Sequence, residues 1–228
     1  MVDRPPVITV DGPVGSGKGT ICLLIAQRLG WGILDSGALY RLLALAAARG
    51  QVELNDTRAL VDLVVTLNVE FLPGEPEEPV AVMLENEDVT EIIRQESCAK
   101  DASRLAVEPK VRFALLEFQR DFRTAPGLVA DGRDMGTVVF PDAPLKIFLT
   151  ASAEERATRR YKQLKAKGIG VTVASLLADI NARDKRDRER TTAPLKPADD
   201  AIVIDTTGLD IASVMEHVMT LVSNRGFE

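Results

Sequence analysis

One short stretch near the start of the chain constrains its fold most. An apolar run at residues 7–10 leads into a glycine-rich segment, and a helical pattern begins near Ile21. Glycines let successive backbone N–H groups approach an anion that also lies at a helix N-terminus. The order of strand, glycines, lysine and helix therefore predicts a phosphate-binding loop for a triphosphate, formed by Gly12, Pro13, Val14, Gly15, Ser16, Gly17, Lys18, Gly19 and Thr20.

This loop departs at one position from the usual pattern G-x-x-x-x-G-K-[ST]. Gly19 stands where a hydroxyl residue belongs, and Thr20 supplies the hydroxyl one residue later. We expect Lys18 to reach the terminal phosphates and to take part in catalysis, and Thr20 to be a ligand of Mg²⁺. The plain alternative is that the glycines only make a tight turn between strand and helix.

Composition excludes several functions. The 228 residues suit one domain with a small appendage, and the net charge of −6 argues against a broad surface for nucleic acid. No apolar stretch approaches the ~18 residues of a membrane span, and the start of the chain lacks the pattern of a signal peptide. We expect a cytoplasmic monomer whose partners are small molecules, with no nucleic-acid polymer and no membrane among them.

Short apolar runs alternate with helical patterns along most of the chain. This order predicts an α/β fold, with a parallel sheet flanked by helices on both faces and the ligand at the carboxyl ends of the strands. Ser36 follows one such run and can cap the next helix. The pattern changes at residues 68–108, where we expect a β-hairpin or meander with a proline-rich connection at 73–79. We interpret this segment as an inserted subdomain between core residues 1–67 and 109–228; the alternative is a disordered acidic loop.

Charged residues recur where the strands are predicted to end. Asp131 follows the apolar strand 128–130 and is the predicted carboxylate ligand of Mg²⁺, the alternative being a turn cap. Planar guanidinium groups match phosphate geometry. Arginines at the predicted ligand edge are Arg41, Arg133, Arg156, Arg159, Arg160, Arg183, Arg186, Arg188 and Arg190. Arg183 and Asp187 lie at i and i+4, so they either form an exposed ion pair or, with Arg190 at i+7, project together into a cleft.

The chain offers no nucleophile paired with a base. An acceptor that is already anionic at neutral pH needs positioning and charge neutralisation more than deprotonation. The sequence therefore favours a nucleotide phosphate as the acceptor over a sugar or alcohol.

Several strings of residues resemble those of the bacterial cytidylate kinases, and the resemblance covers nearly the whole chain. Besides the loop, the matching strings are LDSGALYR at 34–41, DGRDMGTVVFP at 131–141, and Arg183 and Asp184 through Asp187 and Arg188. The string at 131–141 is the most specific of them. The Gly19 and Thr20 ending of the loop also matches the form found in nucleoside monophosphate kinases.

The resemblance implies transfer of the ATP γ-phosphate to CMP or dCMP, with Mg²⁺. It implies that Arg41 and Arg133 meet the acceptor phosphate, that Ser36, Arg183 and Asp187 lie toward the sugar, and that Ser103, Arg112, Asp134 and Arg190 read the cytosine. The helix carrying Arg156, Arg159 and Arg160 is similar to a short lid over residues 156–170. We expect Arg133, Arg159 and Arg160 to act in catalysis with Lys18, and the insertion 68–108 to bind the monophosphate.

Two other functions are compatible with the loop. One is a kinase of the same fold with another small acceptor, such as a different nucleoside monophosphate, shikimate or dephospho-coenzyme A. The other is a nucleotide-binding switch that signals without turnover. Release of ADP that depends on an acceptor distinguishes a kinase from a switch.

Overall fold

The computed structural model describes residues 4–72, 74, 80–166 and 168–227. The strands are β1 (Val7–Asp11), β2 (Gly32–Asp35), β3 (Val69–Leu72), β4 (Ala81–Leu84), β5 (Glu87–Asp88), β6 (Leu128–Gly132), β7 (Leu145–Thr150) and β8 (Ile202–Asp205). The helices are α1 (Lys18–Leu29), α2 (Ser36–Arg49), α3 (Thr57–Thr66), α4 (Thr90–Ile93), α5 (Glu96–Leu105), α6 (Pro109–Arg120), α7 (Ala153–Ala166), α8 (Val173–Glu189) and α9 (Ile211–Ser223), with a π-helical segment at Met135–Val139.

The described residues fall into two compact units, the first within 1–7 and 23–131. In this unit β2 and β6 run parallel, with Gly32 beside Leu128 and Asp35 beside Asp131. The strands β3, β4 and β5 form an antiparallel sheet in that order, which is a meander, one of the two arrangements expected in this region. Its proline-rich connection, residues 73 and 75–79, lies outside the described residues.

Helix α2 shows how sequence pattern becomes packing in the first unit. Its buried residues recur at helical spacing: Ser36, Ala38, Leu39, Leu42, Leu43, Ala44 and Ala47. This face packs among α3, α4 and α5. The expectation that Ser36 caps the helix was wrong: Asp35 is the cap, and its Oδ1 accepts a hydrogen bond of 3.0 Å from the Ala38 N–H. A carboxylate at the end of β2 accepts better than the hydroxyl of Ser36, which is itself buried in the first turn.

The second unit lies within 8–22 and 132–228. Here β7 runs between β1 and β8, and all three strands are parallel. Asp11 pairs with Phe148 and Thr150 with Asp205, so the strands end side by side. Helix α7 packs along α8. Three segments therefore lie next to one another at the carboxyl ends of these strands: the loop after β1, the start of α7 and the turn after β8.

Parallel strands that alternate with helices confirm the predicted α/β class. The start of α1 was predicted too late. Its first residue is Lys18, and the Ile21 N–H already donates to the Gly17 carbonyl at 3.2 Å. Gly19 and Thr20 are weak helix formers, so propensity alone does not recognise the first turn. Among the helices that the structure describes, none combines the length and apolarity needed to cross a membrane.

Candidate functional site

The predicted phosphate-binding loop connects β1 to α1 in the second unit. Gly15 and Gly17 have φ angles of +78° and +94°, which other residues rarely adopt. A Cβ at Gly12 would lie only 2.0 Å from the Leu149 carbonyl oxygen. The loop therefore requires glycine at Gly12 because the backbone passes directly against the end of β7.

Polar side chains of the loop converge on one of its own carbonyl groups. Lys18 Nζ donates a 2.8 Å hydrogen bond to the Pro13 oxygen, and Ser16 Oγ donates to the same oxygen at 3.0 Å. Both side chains are buried. A buried ammonium group at the N-terminus of α1, next to glycine-rich backbone, concentrates positive charge where an anion can bind.

Arg156 holds the loop from the side of α7. Its Nη1 donates to the Val14 carbonyl at 3.1 Å, and its Nε donates to the Ala151 carbonyl at 3.0 Å. The same guanidinium forms a bidentate ion pair with Asp184 on α8. Nη1 donates to Oδ1 at 3.1 Å, and Nη2 donates to Oδ2 at 2.6 Å. Arg156 was expected in the lid, but sequence reasoning missed its partner Asp184, which lies 28 residues away. The start of α7 is thus fastened to the loop and to α8 at once.

Arg159 lies one turn further along α7. Its Nε donates to Glu155 at 3.0 Å, and its Nη1 and Nη2 donate to the Thr206 hydroxyl and carbonyl oxygens at 3.1 and 2.6 Å. A Cβ built on Gly17 would lie 4.0 Å from Nη1, so the guanidinium is beside the loop. Arg160 is exposed on the same helix, and among the described residues no hydrogen bond joins its side chain to the loop. The catalytic roles of Arg159 and Arg160 stay predictions, and the geometry favours Arg159.

Two further ion pairs join predicted substrate-binding residues in the second unit. Arg133 Nε donates to Asp187 Oδ2 on α8 at 3.2 Å, and both side chains are largely buried. In the second pair, Arg190 Nη2 lies 3.8 Å from Asp134 Oδ1. Asp187 thus contacts another predicted site residue, which favours projection into a cleft over an exposed pair. Arg183 is half-buried on the same helix.

Five predicted residues lie in the first unit. Ser36 is buried in the first turn of α2, and Arg41 on the same helix donates from Nη1 to the Ile93 carbonyl at 2.8 Å. Asp131 is half-buried at the end of β6, beside Asp35 at the end of β2. Two carboxylates thus stand side by side at the carboxyl ends of these strands.

Ser103 and Arg112, the other two candidates of this unit, bond to nearby groups. Ser103 Oγ donates to the Ala99 carbonyl at 2.9 Å. Arg112 is buried, and its Nη1 donates to the Tyr40 hydroxyl at 3.3 Å and to the Ala106 carbonyl at 3.1 Å. Tyr40 lies in the string LDSGALYR at 34–41, and the sequence alone predicted no role for it. Its hydroxyl connects α2 to the arginine expected to read the base.

Asp11, the last residue of β1, is a buried carboxyl group next to the phosphate-binding loop. It is 4% exposed, and its two oxygens accept the Met135 and Gly136 N–H groups at 2.9 and 2.8 Å. Burial raises the pKa of Asp11 to about 6, since those two hydrogen bonds and nearby Lys18 offset it only in part and Asp134 raises it further. Sequence reasoning gave Asp11 no role, although an aspartate at the end of a buried strand was a usable signal.

The raised pKa of Asp11 predicts a pH-dependent contribution to stability. Because the folded pKa of about 6 exceeds the ordinary value of 3.8, the contribution is full below about pH 4 and is lost as pH rises through about 6. We compare the free energy of urea unfolding for the wild type and Asp11→Asn. The wild type should lose roughly 2 kcal/mol relative to the variant between pH 4.5 and pH 7. A constant difference over this range would contradict the assignment.

Metal binding by side chains alone has little support. Within the described part of the chain, no group of three or more His, Cys, Asp or Glu residues is placed to hold a metal ion. Thr20 is exposed and Asp131 half-buried. A hydroxyl and a carboxylate suit a hard cation that takes its other ligands from water and phosphate, as Mg²⁺ does with nucleotides.

Fold and loop together define an α/β protein of the phosphate-binding-loop class. A family model described as Cytidylate kinase matches residues 8–224 of the chain. Proteins named Cytidylate kinase from Shewanella frigidimarina and Stutzerimonas stutzeri are each 58% identical over 225 residues, which cover 99% of this chain and 98% of each relative. The chain belongs to the cytidylate kinase family.

A solved structure shows a related fold. The crystal structure of an uncharacterized protein from Eubacterium ventriosum aligns with a TM-score of 0.53 at 12% identity, covering 97% of this chain and 99% of that one. At this identity the likeness concerns the fold alone.

Proposed function

We propose that this protein is an ATP-dependent kinase of CMP and dCMP that forms CDP or dCDP and ADP. The observation that carries the proposal is a complete phosphate-binding loop in a chain 58% identical, over nearly its full length, to proteins named Cytidylate kinase. We place the enzyme in the cytoplasm as a monomer whose partners are its small-molecule substrates.

The loop is proposed to hold the ATP phosphates. Its positive φ glycines, the buried Lys18 and the N-terminus of α1 supply backbone N–H groups and charge in one small region. Arg159 lies beside Gly17 and adds a guanidinium that can neutralise charge on the transferring phosphoryl group. Lys18 and Arg159 are therefore the first candidates for catalytic residues.

The acceptor nucleotide is assigned to a second set of residues. Arg41 and Arg133 are proposed to hold its phosphate, and Ser36, Arg183 and Asp187 its sugar. Ser103, Arg112, Asp134 and Arg190 are proposed to read the cytosine. The ion pair of Arg133 with Asp187 supports this assignment, because the carboxylate holds a phosphate-binding guanidinium in a fixed direction. The segment 68–108 is proposed to carry part of this site, and the segment 156–170 to be the lid.

Mg²⁺ is proposed to bind with ATP. Thr20 and Asp131 would hold it, directly or through water, and the ion would neutralise charge on the nucleotide phosphates. The protein itself positions the two nucleotides and excludes water. No general base is needed in this scheme, since the acceptor phosphate is anionic at neutral pH.

A panel of acceptors tests the function. We expect Mg-ATP to yield ADP fastest with CMP or dCMP, more slowly with UMP, and not measurably with AMP, GMP or shikimate. The readout is ADP release under identical conditions for each acceptor. Turnover led by another acceptor would favour the kinase of different specificity, and tight ATP binding without any acceptor-dependent ADP would favour the nucleotide-binding switch.

A further inference from the structure

Thr206 follows β8 and connects three parts of the second unit. It is 2% exposed, and its backbone N–H donates to the Thr150 carbonyl at 2.8 Å. Its Oγ1 lies 3.0 Å from the Thr150 carbonyl oxygen and 3.3 Å from the Ser16 carbonyl oxygen. The hydroxyl and carbonyl oxygens also accept from Arg159. One buried side chain therefore contacts the end of β7, the phosphate-binding loop and the predicted lid helix.

The contact with Ser16 has a geometric consequence for the loop. In a planar trans peptide the C=O and N–H groups point in opposite directions. A Ser16 carbonyl held by Thr206 therefore directs the Gly17 N–H away from Thr206. Arg156 does the same to the preceding part of the loop, because it holds the Val14 carbonyl and so directs the Gly15 N–H away from itself.

The contact with Arg159 fixes a second group. A threonine hydroxyl carries one proton and two lone pairs, so Oγ1 can share its proton between the Thr150 and Ser16 carbonyls while it accepts from the guanidinium. The Thr206 carbonyl accepts the neighbouring Nη2 group. The two oxygens of Thr206 thus accept from both terminal nitrogens of Arg159, Nη1 and Nη2. These two hydrogen bonds hold the guanidinium beside Gly17.

We infer that Thr206 is a positioning residue for the ATP phosphates, which orients the Gly17 N–H through Ser16 and holds Arg159 at the same time. This inference rests on the proposed function, because it takes the loop as the ATP site. Thr206 itself need not touch the nucleotide. It acts through the Ser16 carbonyl, whose orientation turns the Gly17 N–H toward the phosphates, and through the Arg159 guanidinium.

Two variants separate the hydroxyl from the shape of the side chain. Thr206→Val removes the hydroxyl and keeps the branched shape, and Thr206→Ser keeps the hydroxyl. Calorimetry gives the dissociation constants of Mg-ATP without acceptor and of CMP without ATP. We expect Thr206→Val to weaken Mg-ATP roughly threefold to tenfold and CMP less than twofold, and Thr206→Ser to bind Mg-ATP as the wild type does. Thr220→Val, which removes an exposed hydroxyl of α9 bonded within its own helix, is the control.

Two results of this experiment would overturn the inference. Wild-type Mg-ATP affinity in Thr206→Val would overturn it, and so would an equal loss of both ligands, since this indicates general loosening. If Thr206→Val does not fold, Thr206→Ala provides the variant without a hydroxyl. Turnover of CMP by the wild type tests the proposed function separately. Normal turnover by the wild type, together with unchanged Mg-ATP binding in Thr206→Val, refutes the inference alone. Absent turnover by the wild type, together with weakened Mg-ATP binding in Thr206→Val, refutes the function alone.

Discussion

Lys18→Ala is expected to lower the rate of ADP formation with CMP by about 10²–10³-fold. The ammonium of Lys18 is buried within the loop and bonded to the Pro13 carbonyl. Charge that develops on the transferring phosphoryl oxygens needs a donor already in place, and removal of one such donor typically costs this factor. The measurement is kcat with saturating Mg-ATP and CMP.

The matched control for this variant is Lys110→Ala. Lys110 is an exposed lysine on α6 in the first unit, so its removal changes net charge equally without touching the loop. CMP affinity should stay within about twofold of wild type in both variants. Lys18→Ala activity above a tenth of wild type would show that another cation, of which Arg159 is the nearest candidate, performs the main neutralisation.

The loop and the order of strands and helices could be predicted because they depend on local sequence. Glycines that require positive φ, a lysine at the helix start and apolar runs between helices are all visible within short windows. The strands after residue 68 were predictable for the same reason, although a hairpin and a meander were both compatible with the pattern. The errors were local as well: Asp35, not Ser36, caps α2, and α1 starts at Lys18.

The support around the loop could not be predicted because it depends on partners distant in sequence. Asp11 meets Met135 across 124 residues, and Thr206 meets Ser16 across 190 residues. Periodicity places each residue on an element, but it does not tell which carbonyl or N–H group stands opposite. Aspartates next to apolar runs were the most useful sequence signal for these distant contacts, since a buried carboxylate needs a specific partner.

The Arg156 and Asp184 pair is where the largest loss of stability is expected. Arg156 is 3% and Asp184 7% exposed, with the closest N···O distance 2.6 Å. Asp184→Asn leaves a buried guanidinium without its counter-charge. We therefore expect the free energy of unfolding, measured in urea, to fall by about 3 kcal/mol. The pair also connects α7 to α8, so the loss should appear as a lower midpoint of the whole second unit rather than as local fraying.

Burial rather than contact distance decides the size of this effect, and a second ion pair of the chain tests that statement. Arg120 and Glu117 on α6 approach to 2.7 Å, but their side chains are 40% and 66% exposed. Water solvates Arg120 when its partner is neutralised, so Glu117→Gln should change the unfolding free energy by less than about 0.5 kcal/mol. If the two substitutions cost the same, the guanidinium of Arg156 must reach water in solution, and its role in fastening α7 to the phosphate-binding loop would have to be abandoned.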